Sequence, residues 1–253
     1  MLAPEYDTMR QVEDSYWWYA VLRGAVVDEV RRLSTGIERP RIMDAGCGTG
    51  GTLARLREAD PSWDLRGIDF SPHAVEHTRA RGIAKVEQGD VAHLPVADGA
   101  LDGIVSLDVL YHANVDEPRA VAEFHRALRP DGFLILNLPA FDLLTGSHDK
   151  AVGGVRRYTK ERLRALLEPA GFRMDRRQYW NAWLFPAIGT WRVLSRIMTS
   201  HKTMAQTKSD LSQLPAWLNT SLAAIGRTDF ALSRAMALPF GTSVFATARK
   251  RAA

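Results

Sequence analysis

Three carboxylates and a glycine-rich run carry the strongest chemical signal in this sequence. The run is Ile42-Met43-Asp44-Ala45-Gly46-Cys47-Gly48-Thr49-Gly50-Gly51, where apolar residues give way to closely spaced glycines. A strand that ends in this way lets the backbone pass close to a ligand, and the helix after it presents free N–H groups. Asp44 lies two residues before the first glycine, within reach of a ligand ammonium directly or through water. Asp69 ends the next strand, about 20 residues beyond the glycines, and is placed to accept two ribose hydroxyls. Asp90 follows a third strand in Gln88-Gly89-Asp90-Val91 and is placed for an adenine amino group. The glycines alone are ambiguous: Gly46, Gly48 and Gly51 also fit a dinucleotide fingerprint or a tight turn with no ligand. The acids decide between these, because three carboxylates at successive strand ends suit a cationic adenosyl ligand and repel a diphosphate.

A second group of residues has the chemistry to handle a reacting acceptor. Ser106-Leu107-Asp108-Val109-Leu110-Tyr111-His112 leaves the fourth strand, and ligands of open α/β sheets sit at the carboxyl ends of their strands. His112 is the candidate general base, since an imidazole titrates near neutral pH; local capping or packing is its alternative role. Tyr111 reads as pocket wall. His148 and Asp149 would form an oriented pair if they faced one another, although adjacent residues often point apart. Arg156, Arg157 and Tyr158 suit an anionic acceptor through paired hydrogen bonds, or else form a solvated turn. Tyr16-Trp17-Trp18-Tyr19 is dense enough in rings to cover a cationic ligand. Four consecutive helical positions face all sides, so some of these rings belong to the core and Tyr16 or Trp17 is expected at the pocket. Trp183, among Tyr179, Trp180, Leu184, Phe185, Trp191 and Trp217, suits an apolar acceptor pocket, core packing or a membrane-surface or partner patch. Arg192, Arg196, His201, Lys202 and Lys208 would flank that patch. No cluster has metal-ligand spacing.

The elements that must position these groups alternate along the chain. Residues 11–34 have the apolar spacing of one amphipathic helix. Strands are expected at 41–45, 65–69, 85–88, 103–107 and 133–138. Helices are expected at 52–58, after Ser71-Pro72, at 118–129 and at 159–171, where Thr159 caps the start and Gly171 closes the end. Pro130-Asp131-Gly132 reads as the turn before the fifth strand. Residues 172–179 and 242–248 supply two last strands. Strands alternating with helices in this way mean a mostly parallel, doubly wound α/β sheet. The expected division is one domain over 1–253: a helical cap at 1–38, a cofactor-binding core at 39–178, an insertion forming a lid at 179–240, and the last strand and tail at 241–253.

With these motifs in view, residues 41–138 resemble the class I S-adenosylmethionine-dependent methyltransferases, in their small-molecule branch of type 11. Asp44 to Gly50 resembles the family's first motif, Gly67-Ile68-Asp69-Phe70-Ser71 its ribose-binding strand end, and Asp90-Val91 its adenine contact. Leu94-Pro95, Leu101-Asp102 and Leu128-Arg129-Pro130-Asp131-Gly132-Phe133 follow in the family's order. The resemblance implies a Rossmann-like seven-stranded sheet of order 3-2-1-4-5-7-6 with the seventh strand antiparallel. It also implies S-adenosyl-L-methionine as cofactor, with S-adenosyl-L-homocysteine as product. The cofactor-binding residues are then Tyr16, Trp17, Asp44, Gly46, Cys47, Gly48, Gly50, Asp69, Phe70, Asp90, Val91 and Leu107. Glu13 to Tyr19 and His148 to Thr159 are similar to flanking segments of some members. A histidine common there is replaced by Gly154, so no catalytic role is transferred to that position.

Bulk composition narrows the classes further. The chain has 253 residues, 46% hydrophobic and 25% charged, with a formal net charge of +4, which suits a globular protein with a mildly basic surface. The basic residues are too dispersed for a nucleic-acid face. A single cysteine, Cys47, permits no intrachain disulfide and is compatible with a cytoplasmic setting. The N-terminus lacks a signal-peptide pattern and no apolar run is long enough to span a bilayer. The expectation is methyl transfer to a small organic acceptor, apolar or anionic, with oxygen favoured over nitrogen and carbon. Peripheral membrane contact and the oligomeric state stay open. The rivals are a fold relative with non-methylating chemistry and a regulatory protein that docks a protein or membrane through its aromatic insertion.

Overall fold

Residues 3–146, 153–190 and 214–252 are described in the computed structural model. Seven strands form one sheet: β1 (Arg41–Ala45), β2 (Asp64–Asp69), β3 (Val86–Gln88), β4 (Leu101–Leu107), β5 (Leu128–Pro139), β6 (Phe172–Trp180) and β7 (Ser243–Lys250). Their order is β3-β2-β1-β4-β5-β7-β6, the order implied by the family resemblance. β7 runs antiparallel between β5 and β6, and every other pairing is parallel. The principal helices are α1 (Ala3–Val12), α2 (Trp17–Leu33), α3 (Gly51–Ala59), α4 (Pro72–Ala80), α5 (Glu117–Ala127), α6 (Lys160–Leu167) and α7 (Ala216–Met236).

The central strands are apolar at consecutive positions because both of their faces are covered, and side chains alternate between those faces. Ile42, Val105, Phe133 and Ile135 turn toward α2, where Val26 and Val30 are fully buried. Met43, Ile104, Leu134 and Leu136 turn toward α5, whose Val121 and Phe124 are fully buried. α5 starts where Asp116 accepts from the Arg119 N–H at 3.2 Å, and α6 starts at the matching Thr159 bond to Arg162 N–H at 3.1 Å. At the opposite end of the sheet from the strand-end acids, Asp102 accepts from Arg41 N–H, Arg41 Nε and Arg129 Nε at 2.9, 3.0 and 2.6 Å. Desolvation pushes that carboxyl up, and the arginine hydrogen bonds overcome it and hold it below the usual range.

Three elements differ from their expected form. The helix expected at 11–34 is two helices, α1 and α2. The chain breaks between them because the buried Glu13 turns inward to Arg23, Arg81 and Thr49. β5 begins at Leu128, so Pro130-Asp131-Gly132 is an irregularity inside the strand, with Asp131 at φ 59° and a register shift opposite Leu101/Gly103. Finally, α7 packs beside the sheet on α2 and β6 instead of roofing the strand ends. Gly226 lies against Trp17 and Val21, Gln178 Nε2 donates to Phe230 O at 3.0 Å, and Asp229 accepts the Ala182 N–H at 3.0 Å. Residues 191–213 of the expected lid lie outside the described residues. No described helix is long and apolar enough to cross a membrane.

Gly103 marks the closest approach within the sheet, since a Cβ there would stand 2.2 Å from the Phe133 ring. That ring is fully buried and has nowhere to move. Gly103→Ala is therefore expected to destabilise the protein by about 1–3 kcal/mol, read as a lower urea midpoint at unchanged denaturant slope.

Candidate functional site

The carboxyl ends of β1, β2 and β4 and the β5–β7 edge open into one cavity of about 530 Å³. Its floor on one side is the glycine loop. Gly46 and Cys47 donate their N–H groups to Ile68 O at 2.8 and 3.0 Å, which folds the loop back over β2. Gly46 has φ 86° and its missing Cβ would lie 2.2 Å from Val109, so only glycine leaves the backbone bare at this point. Gly50 has φ 78° and is pressed against Thr78. It shapes the turn but is not on the cavity wall.

Asp44 and Asp69 stand side by side above this loop. Asp44 is buried, and desolvation, then repulsion from Asp69, pushes its carboxyl up to about 7 against the pull of Arg23. Asp69 accepts from Gly48 N–H at 2.8 Å, Ser71 N–H at 2.9 Å and Tyr6 OH at 3.4 Å. Burial raises its carboxyl despite these bonds. Two buried acids that repel one another, with no cation between them among the described contacts, fit a ligand that brings an ammonium to one and hydroxyls to the other. Asp90 and Val91 line the same cavity beyond Asp69, with Asp90 Oδ1 accepting the Ala92 N–H at 2.9 Å. Phe70, 66% exposed, edges the opening as an apolar platform. This set of carboxylate acceptors suits a cationic ligand that also carries hydroxyls, as the cofactor implied by the family resemblance does.

A cover closes this half from above. Tyr6 and Met9 of α1 and Tyr16, Trp18 and Tyr19 around the start of α2 all reach the cavity. The cover is held to the floor by Glu13, which accepts from Arg23, Arg81 and Thr49, while Arg81 Nε donates to Thr49 O at 2.7 Å. Of the two rings expected at the pocket, Tyr16 lines it. Trp17 instead lies in the core against Val21, Gly226 and Trp183, the Trp17–Trp183 ring centroids 6.0 Å apart.

The other half of the cavity is bounded by Leu107, Tyr111, His112 and Arg157. The His112 ring packs on Tyr111 with centroids 4.2 Å apart. Arg156 is off the wall: it donates to Leu110 O at 2.9 Å and His112 O at 2.8 Å, fixing the backbone behind His112. Tyr158 is buried, with its hydroxyl on Leu110 O at 3.0 Å and on Glu117. Desolvation and Glu117 drive that phenol far above its usual range. These two residues therefore build the segment instead of facing an acceptor. Trp183 also lies off the wall, and Ile188 is the one described residue of 179–240 on it. His148 lies outside the described residues.

Sequence reasoning passed over Tyr6, Met9, Glu13 and Asp108. Asp108 lines the cavity with φ 53°, a left-handed conformation that a residue with a Cβ rarely adopts. Its N–H donates to Asn137 O at 2.8 Å, and Asn137 Nδ2 returns bonds to its two carboxylate oxygens at 3.2 and 3.0 Å. The available signal was an acid directly following an apolar strand.

Comparison with known proteins places this geometry in context. Residues 43–136 match a family described as a methyltransferase domain. A protein of Mycolicibacterium smegmatis named "Probable S-adenosylmethionine-dependent methyltransferase" is 30% identical over 64% of this chain and 62% of its own length. The malonyl-acyl-carrier-protein O-methyltransferase of Geobacter sulfurreducens is 30% identical over 61% of this chain and 64% of its own length. The chain thus spans less than two thirds of either relative. Among solved structures, the cyclase SpnF superposes with a TM-score of 0.57 at 21% identity, covering 90% of this chain and 81% of the cyclase. That likeness is one of fold.

The raised Asp44 carboxyl gives two opposite expectations for one substitution. Its folded value of about 7 exceeds its ordinary 3.8, so keeping it ionised costs stability progressively from about pH 4 to 7 and in full above that. Asp44→Asn is expected to raise Tm at pH 8 while affinity for S-adenosylhomocysteine falls roughly tenfold to a hundredfold. Thermal melts and calorimetry on one preparation check both signs, and a lower Tm with unchanged affinity contradicts them.

Proposed function

We propose that this chain is a class I S-adenosylmethionine-dependent methyltransferase, a reading supported by its sheet order and by the match over residues 43–136, and that it transfers the cofactor's methyl to an oxygen of a small organic acceptor. The observation that carries this reading is the continuity of the cavity. One wall offers Asp44, Asp69 and Asp90 for an adenosyl cation, and the same space runs on to Tyr111, His112 and Arg157. Bound S-adenosylmethionine supplies a methyl carbon made electrophilic by its sulfonium.

The protein's own contribution is placement and exclusion of water. Asp44 would hold the ammonium end, Asp69 the ribose, and Asp90 and Phe70 the adenine, all on one side of the cavity. Fixing two reactants in a productive geometry can supply roughly 7–11 kcal/mol of the barrier. Tyr16, Trp18 and Tyr19 line the same cavity and are aromatic groups that would attract positive charge. Arg157 contributes a cation on the acceptor side, and His112 is a proton acceptor on the wall. Oxygen is favoured over nitrogen and carbon by the O-methylating Geobacter relative.

Calorimetric titration with S-adenosylmethionine, S-adenosylhomocysteine and NAD tests the cofactor. Both adenosyl ligands should bind, NAD should not, and Asp69→Ala should weaken the adenosyl ligands roughly tenfold or more. Tight NAD binding, or no adenosyl binding, sinks the reading. Transfer of labelled methyl to a panel of phenols, alcohols and carboxylic acids then separates a methyltransferase from a fold relative that binds the cofactor for other chemistry.

A further inference from the structure

We propose that Asp108 faces the transferred methyl and takes the proton of a neutral hydroxyl acceptor, with Asn137 and Trp180 as its positioning residues. The proposal rests on the adenosyl-cofactor reading above and narrows its acceptor class to alcohols and phenols.

The argument starts in the core. Trp180 is fully buried in β6, and its indole Nε1 donates to Asn137 Oδ1 at 2.8 Å. Asn137 is fully buried in β5, so this bond orients its amide with nitrogen outward, and that nitrogen donates to both oxygens of Asp108. A relay of buried polar groups is costly unless each member is satisfied. This one ends at a carboxylate on the cavity wall, whose acceptor capacity exceeds what one amide can fill. The backbone bond from Asp108 N–H to Asn137 O at 2.8 Å holds the residue in its left-handed conformation at the tip of β4. Without that conformation the side chain would continue the strand's alternation.

The setting suits a base. Desolvation raises the Asp108 carboxyl to about 7, against the Asn137 hydrogen bonds and the charge of Arg157. The groups around it are Arg157 from the segment after β5, neutral Asn137 on β5, and Tyr19 of α2, a phenol that burial first and nearby charges second push above its ordinary range. His112 follows on Asp108's own segment. A base titrating near the working pH is the efficient kind. As the acceptor oxygen bonds to the methyl carbon, the carbon–sulfur bond breaks with its electron pair left on sulfur. The hydroxyl proton passes to an Asp108 oxygen and from there to water. An acceptor that is already a carboxylate would meet Asp108 as a like charge.

Sinefungin tests this without knowledge of the acceptor, because its ammonium stands where the cofactor carries the methyl. S-adenosylhomocysteine shares its adenosine and amino-acid ends and has a neutral sulfur where sinefungin has the amine-bearing carbon, so the ratio of the two affinities reports what faces the methyl and cancels Asp44. In Asp108→Asn the preference for sinefungin at pH 8 should fall roughly tenfold to a hundredfold, with S-adenosylhomocysteine affinity unchanged. In the wild type the preference should decline from pH 8 to 6 as Asp108 takes up its proton, and the variant should be flat. An unchanged ratio in the variant overturns the proposal. If the variant does not fold, a wild-type ratio that is flat between pH 6 and 8 overturns it equally. Failure of the wild type to bind S-adenosylhomocysteine instead removes the cofactor reading, and this proposal with it.

Discussion

Asp44 and Asp69 end neighbouring parallel strands, where the register pairs Asp44 with Gly67 and Ala45 with Ile68. That pairing forces two carboxylates together at the mouth of a desolvated cavity, and their repulsion is the constraint to which the surrounding structure answers. The glycine loop supplies part of the answer through Gly48 N–H, and the turn after β2 another through Ser71 N–H. Both are backbone donors, which bring partial charge without a side chain that would occupy the ligand's place. Arg23 supplies the nearest opposing charge to Asp44, and it is itself held by Glu13. The cavity therefore stays net acidic, which is the condition for drawing in a cation.

The Glu13 cluster extends this logic to the cover. Glu13 is buried and its carboxylate meets two guanidinium groups and the Thr49 hydroxyl. Buried ion pairs of this kind contribute little net stability compared with apolar packing, but removing one partner strands the others. Their effect here is on position. Arg81, just beyond α4, and Thr49, in the glycine loop, are joined through Glu13 to the α1–α2 break. The rings of Tyr16, Trp18 and Tyr19 are thus registered against the loop they cover.

What was legible in the sequence is what is local. The glycine run, the three strand-end acids and the alternating apolar segments each lie within a few residues, and the family resemblance implied the sheet order found. The α1–α2 break was not legible, because apolar spacing continues through 11–34 and the residues that interrupt it act through partners as distant as Arg81. Arg156 and Tyr158 suggested an acceptor grip by type, whereas Leu110 O and Glu117, far earlier in the chain, take them inward. Trp183 and α7 read as lid by aromatic content, yet the small surface of Gly226 lets α7 lie close on Trp17 and Val21. Sequence types alone single out His112 over Asp108, because ordinary side-chain titration ranges favour imidazole. Burial at the strand end, which no spacing rule reports, brings the carboxylate into the same range.

Asp44 and Asp108 both titrate near 7 in the free fold, each through desolvation, but their partners differ in kind. Asp44 is opposed by Asp69 and lacks a permanent cation close enough to offset its burial. On the proposed reading a bound ammonium supplies one, and ligand binding then fixes Asp44 in its ionised form. Asp108 is supported by a neutral amide and a single arginine charge, and on the proposed reading the nearby positive charge lasts only until the methyl leaves. After transfer the sulfonium charge is gone, and protonation of Asp108 becomes easier at the moment the acceptor's proton must go somewhere. Two carboxylates with the same starting value are thereby assigned opposite tasks by environment alone, one holding charge and the other exchanging a proton.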